Sequence, residues 1–144
     1  MQSHKKIAVV GSGLVGTLLA IYLKRRGHTV HVYDRSPDIR KINFTGRSIN
    51  LVLSDRGVKA LRDVGLDNEV LGIGIPVEKR EIHTGSDTVN EQFYGKYGEV
   101  IYSLSRGLLN KKMVDLAEKA GVEFFFEEKV WDVDLTTATI SIGE

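Results

Sequence analysis

Ten residues, Ile7-Ala8-Val9-Val10-Gly11-Ser12-Gly13-Leu14-Val15-Gly16, constrain this chain more than any others. Four apolar residues read as a buried strand, and a G-x-G-x-x-G turn follows. Leu18, Leu19, Tyr22 and Leu23 then recur at helical spacing, and Gly27 closes the helix. Thr29-Val30-His31-Val32-Tyr33 reads as a second strand that ends in Asp34, 23 residues after Gly11. Strand, glycine turn, helix, strand and terminal acid together make the βαβ dinucleotide fingerprint. Gly11 permits the tight turn, Gly13 lets backbone approach a pyrophosphate, and Gly16 lets the helix lie close on the strand. The helix N-terminus offers unpaired N–H groups and its positive dipole end to phosphates. Asp34 can accept hydrogen bonds from a ribose and disfavours a 2′-phosphate, so FAD or NAD is expected over NADP at this site. The alternative is a βαβ unit that binds nothing.

The rest of the composition narrows the class without deciding it. A length of 144 residues suffices for one domain with a core. Twenty basic and nineteen acidic residues leave a formal charge of +1, which gives nucleic acid or anionic membrane no electrostatic support. No cysteine is present, so disulfides, thiolate metal sites and cysteine nucleophiles are excluded, and a cytoplasmic location is expected. Lys5-Lys6 before an apolar run imitates a signal peptide, but the run is broken by glycines and ends in Lys24-Arg25-Arg26. It is also too interrupted to span a bilayer. His4, His28, His31 and His83 lack metal-ligand spacing and are read as structural or surface residues.

Beyond Asp34, residues 35–41 read as a loop. Ser54 is a candidate N-cap for a helix running through Val64 and stopped by Gly65. Val77 to Thr84 looks extended, and Gly85-Ser86-Asp87 is a turn. Glu91 to Tyr94 and Val100 to Leu104 are expected strands with a glycine-flanked turn between them. Arg106 to Ala120 should be a helix with Leu109, Met113, Leu116, Ala117 and Ala120 on one face. Val122 to Phe126 is strand-like, and Val130 to Asp134 with Ala138 to Ile142 suggest a hairpin. The alternation predicts an α/β fold, a Rossmann-like βαβ domain with a parallel sheet plus additional β-strands.

A longer phrase, Gly46-Arg47-Ser48-Ile49-Asn50-Leu51-Val52-Leu53-Ser54-Asp55-Arg56-Gly57, is more specific than the glycines. It resembles the FAD-dependent aromatic hydroxylase family. The likeness continues at Gly74-Ile75-Pro76, Ile82-His83, Tyr94-Gly95, Ser103-Leu104-Ser105-Arg106 and Leu109-Asn110-Lys111, and covers about Lys6 to Val130. It implies an FAD-binding portion of a longer monooxygenase that uses NADPH as reductant and an aromatic amino acid as substrate. The family's second FAD motif, a Gly-Asp pair, would lie beyond Glu144, as would most of the substrate pocket. The chain is therefore expected to be truncated, inactive alone, and open to self-association through the truncated face. Residues 77–104 would belong to the substrate-side sheet.

Residue by residue, the resemblance puts the turn (Gly11, Gly13, Leu14, Val15, Gly16), Asp34 and Arg106 on FAD. Asp34 stands where the family usually has glutamate. Ser36 stands where it has an arginine, and Arg35 is one residue early. Val52 and Val130 fall where the family touches the flavin or the adenine. Arg80 and Tyr94 would hold the substrate carboxylate, chemistry that suits a guanidinium fork and a phenol. On the residues alone, the Glu78-Lys79-Arg80-Glu81 run reads first as a solvated strand face, and Tyr94 as surface packing. Arg47 could hold phosphate or pair with Asp38 or Asp55. No Ser-His-Asp or Cys-His arrangement is seen, and no catalytic acid, base or nucleophile is assigned. An NAD-dependent dehydrogenase domain and a non-catalytic nucleotide-binding module are the competing readings.

Overall fold

The computed structural model describes residues 3–42, 49–85 and 88–143. The elements in chain order are β1 (Lys6–Val10), α1 (Leu14–Arg25), β2 (Thr29–Asp34), β3 (Asn50–Leu53), α2 (Asp55–Arg62), α3 (Asp67–Leu71), β4 (Ile75–Val77), β5 (Lys79–Thr84), β6 (Thr88–Phe93), β7 (Ile101–Ser105), α4 (Arg106–Lys119), β8 (Glu123–Phe126), β9 (Val130–Asp134) and β10 (Thr139–Ile142). They fall into two compact units, residues 1–47 with 107–144 and residues 48–106.

The first unit is built on a parallel sheet of order β1-β2-β8. Its core is Val9, Ala20, Ile21, Val30 and Val32 with Leu109, Met113, Val114, Leu116 and Ala117 of α4, closed by Val122. One expectation changes here. β1 is not buried throughout: only Val9 is, and Val10 is 58% exposed, because β2 is the one strand paired with β1 among the described residues. The inward face of α1 is Thr17, Ala20 and Ile21, whereas Leu19 is exposed and Leu18, Tyr22 and Leu23 are half-buried. Small residues face inward where a helix approaches a sheet closely. Thr17 tolerates full burial because its hydroxyl donates to the carbonyl oxygens of Gly13 at 2.9 Å and Leu14 at 3.2 Å. The expected face of α4 is seen, with Val114 added and Ala120 only half-buried.

In the loop after β2, Arg40 bonds Asp38 through Nε and Nη2 and reaches Asp115 at 3.0 Å and Glu118 of α4. Asp38 is buried, and the Arg40 guanidinium holds its carboxyl below the ordinary range. The hairpin of β9 and β10 is antiparallel, as expected.

The second unit carries an antiparallel sheet, β3-β7-β4, and a separate ribbon of β5 and β6. The strands expected around 91–104 do not pair with each other. β6 pairs with β5 and β7 lies between β3 and β4. The helix after Ser54 stops at Arg62, Gly65 follows at φ +56°, and α3 is an element that no sequence period announced. Val58, Leu61, Val64, Leu66, Val70 and Leu104 form this unit's core. Gly46, Arg47 and Ser48 lie outside the described residues, and with them the expected role of Arg47.

Candidate functional site: a nucleotide cradle at the glycine turn

Gly11 has φ +104°, a region glycine adopts without strain, and its N–H donates to the Tyr33 carbonyl at 2.7 Å. That bond joins the end of β1 to the end of β2. Gly13 is the N-cap of α1, in extended backbone with φ −68° and ψ 176°. No side chain caps this helix end and no acidic residue occupies its first turn, so the dipole end is left for an external anion. A Cβ added at Gly13 would meet nothing within 4 Å. A Cβ at Gly16 would collide with the Gly11 carbonyl oxygen and lie 3.1 Å from its carbon. Gly16 is thus required by the turn itself, and Gly13 is not; its bareness leaves room for a ligand to approach the backbone. Leu14 is half-buried, and Val15 is 82% exposed.

Asp34 is placed by the pairing of β2 with β8. Tyr33 lies opposite Phe125 and the rings stack with centroids 4.9 Å apart, while Asp34 lies opposite Phe126. Beyond the strands, Glu128 N–H donates to the Asp34 carbonyl at 2.9 Å and Glu127 N–H to the Ser36 carbonyl at 3.1 Å. The Asp34 carboxylate accepts from the Ser12 N–H at 2.6 Å, the Ser12 hydroxyl at 2.7 Å and the Ser36 N–H at 2.8 Å. Burial opposes the charge, but these donations outweigh it and hold the carboxyl below its ordinary value. Asp34 is therefore an anion at neutral pH.

Beside Asp34 lies a cavity of about 400 Å³, lined by Val10, Gly11, Tyr33, Asp34, Arg35, Ser36, Glu128, Lys129 and Val130, with Gly13, Leu14, Val15 and Gly16 not among its walls. Four expected site residues, Gly11, Asp34, Arg35 and Val130, meet there. Ser12 and Lys129 were not singled out from the sequence. Ser12 could have been found, since it lies inside the fingerprint. Lys129 could not, because only the β2–β8 pairing brings it across.

The remaining candidates belong to the second unit. Val52, in β3, and Arg106, the first residue of α4, are both exposed. The ribbon register pairs Arg80 with Gln92, and the Tyr94 N–H donates to the Glu78 carbonyl at 2.9 Å. Arg80 and Tyr94 therefore share one face of the ribbon. Arg80 Nε donates to Gln92 Oε1 at 2.7 Å, and neighbouring Lys79 pairs with Glu91, the pattern of a solvated strand face. Tyr94 lines a cavity of about 240 Å³ with Ser54, Asp55, Arg56, Glu99, Val100 and Ile101, and Arg80 is not among its walls. Among the described residues, no helix is long and apolar enough to cross a membrane.

A parallel βαβ unit with an uncapped helix end, a glycine turn and an ionised acid beside a cavity defines a dinucleotide-binding α/β protein. The chain belongs to the FAD binding domain family, which it matches over residues 4–141. It is 67% identical over 144 residues to kynurenine 3-monooxygenase of Flavobacterium johnsoniae, covering 100% of this chain and 32% of that protein. It is 65% identical to kynurenine 3-monooxygenase of Flavobacterium psychrophilum with the same coverage. The chain thus spans about a third of the length of these relatives. Among solved structures, a mutant 2-methyl-3-hydroxypyridine-5-carboxylic acid oxygenase superposes with a TM-score of 0.77 at 19% identity, over 98% of this chain and 38% of that one. That likeness concerns the fold. The cradle fits the cofactor the family is named for: bare backbone at Gly13 for a pyrophosphate and a fixed carboxylate for a ribose.

Proposed function

We propose that these residues are the FAD-holding part of an NADPH-dependent flavoprotein monooxygenase that converts L-kynurenine to 3-hydroxykynurenine in the cytoplasm. The observation that carries this reading is 67% identity across every residue of the chain to a kynurenine 3-monooxygenase. Bound FAD would supply the redox chemistry, passing electrons from NADPH to O₂. The chain's own task is binding and orientation. The uncapped N-terminus of α1 with Gly13, Leu14 and Val15 receives the pyrophosphate. Asp34 receives the adenosine ribose, and Arg35 and Val130 border the nucleotide. Val52 and Arg106 contribute to the cofactor by resemblance.

Residues 77–104 are assigned to the substrate side, where Arg80 and Tyr94 attract the amino-acid carboxylate. Their shared ribbon face supports that pairing, and the Arg80–Gln92 hydrogen bond must open for it. One exposed charge pair contributes about 1 kcal/mol or less, too little to retain a small amino acid. The 144 residues by themselves are therefore expected not to hydroxylate kynurenine, since oxygen transfer needs a site that excludes water.

A chimera tests the reading. These residues replace the matching segment of the Flavobacterium johnsoniae relative, and 3-hydroxykynurenine is measured with NADPH and O₂. Turnover above that of a chimera carrying Gly13→Ala is expected. A folded chimera that makes no product overturns the proposal.

A further inference from the structure

The Asp34 carboxylate is engaged on three sides within the chain. An ionised carboxylate has about four acceptor positions, two on each oxygen. Ser12 fills both on Oδ2, with its N–H at 2.6 Å and its hydroxyl at 2.7 Å. The Ser36 N–H at 2.8 Å takes one on Oδ1, and the hydroxyl of exposed Ser36 also donates to the carboxylate. The position a ligand can claim is therefore the one that the exposed Ser36 hydroxyl yields. Ser12 is 9% exposed, so its hydroxyl cannot readily exchange Asp34 for water. The hydroxyl is also a choice of this sequence at a variable position of the fingerprint. The turn needs Gly11 at its positive φ, and any residue but proline at position 12 would still supply the backbone N–H.

We infer that Ser12 is a positioning residue that closes Oδ2 of Asp34, so that the carboxylate takes one hydroxyl of a ribose through Oδ1 instead of bridging both. This rests on the nucleotide reading of the cavity and goes beyond it by fixing how many hydroxyls Asp34 reads. Arg35, Glu128 and Lys129, the other charged groups lining the cavity, are the same in every variant below. Glu128 is a second carboxylate that could take the other hydroxyl, so a simple loss of affinity does not isolate Asp34. Coupling between Asp34 and each hydroxyl does.

The experiment uses calorimetric titration of the chain with ADP, 2′-deoxy-ADP and 3′-deoxy-ADP, in the wild type and in Asp34→Ala, Ser12→Ala and Ser12→Thr. ADP should lose about tenfold in affinity in Asp34→Ala, the scale of one hydrogen bond to a charged acceptor. One deoxy analogue should show no further loss in Asp34→Ala, and the other should keep the full tenfold loss. In Ser12→Ala that contrast between the analogues should narrow, because Oδ2 gains an open position. Ser12→Thr, which keeps a hydroxyl, should restore it. Equal coupling of both analogues to Asp34 in the wild type overturns the inference while leaving the nucleotide site standing. Failure of wild-type protein to bind ADP overturns the site reading and the inference together. A ligand-free arm covers variants that do not bind: the NMR titration of the Asp34 carboxyl should move upward in Ser12→Ala and return in Ser12→Thr. An unmoved midpoint overturns the clamp.

Discussion

Gly13→Ala separates the demands of a ligand from those of the fold. The added methyl would meet no atom of the chain within 4 Å, and φ −68° is ordinary for alanine. Two small stability effects oppose each other. Alanine is a poorer N-cap than glycine by about 0.5–1 kcal/mol, while losing glycine's freedom in the unfolded chain contributes about 0.4–1 kcal/mol in the other direction. Unfolding free energy in urea should therefore change by about 0.5 kcal/mol or less. Binding should respond differently, since the methyl stands where backbone must approach a pyrophosphate. Losing even one charge-assisted N–H contact there costs about 1.5–3 kcal/mol, roughly tenfold or more in affinity. Calorimetric titration of the folded variant with ADP reads this directly. Unchanged affinity would refute the placement of the phosphates. A stability loss of about 2 kcal/mol or more would refute the view that the space at Gly13 is free.

Gly16→Ala should do the reverse. Alanine gains about 1 kcal/mol of helix propensity, but its Cβ strikes the Gly11 carbonyl, and overpacking of about 1–3 kcal/mol or more should leave a net loss on urea denaturation. Arg40→Ala leaves buried Asp38 without its guanidinium partner and should destabilise by about 1–3 kcal/mol, measured in the same way. Asp34 and Asp38 both have lowered carboxyl values in the fold. Their stabilisation is complete above the unfolded value near about 3.9 and disappears as pH falls through the lower folded values. The urea midpoint should therefore drop on acidification below about pH 4, less steeply in Arg40→Ala than in the wild type.

The sequence carried most of the first unit because its signals are local. Gly11, Gly13, Gly16 and Asp34 sit at the ends of elements whose periods and caps can be read over about thirty residues. The inward face of α1 does not follow the apolar residues that recur at helical spacing, for a reason that the structure supplies. Close approach at the glycine turn selects Thr17 and Ala20 over Leu18 and Leu19, so hydrophobicity alone points to the wrong stripe. The exposure of Val10 depends on how many neighbours β1 has, which no window of β1 contains. Strand partners were illegible for the same cause: β6 and β7 are adjacent in sequence yet pair elsewhere. α3, at five residues, is too short to show a period.

In the site, Lys129 reaches the cavity only through the β2–β8 register and the bonds from Glu127 and Glu128. The shared face of Arg80 and Tyr94 follows from the ribbon register.

A crystal structure of the chain with ADP tests the cradle most directly. One ribose hydroxyl should lie within hydrogen-bonding distance, about 3.2 Å, of Asp34 Oδ1, with the diphosphate over the N–H groups that open α1. ADP bound with its ribose away from Asp34, or its phosphates away from that helix end, would contradict it.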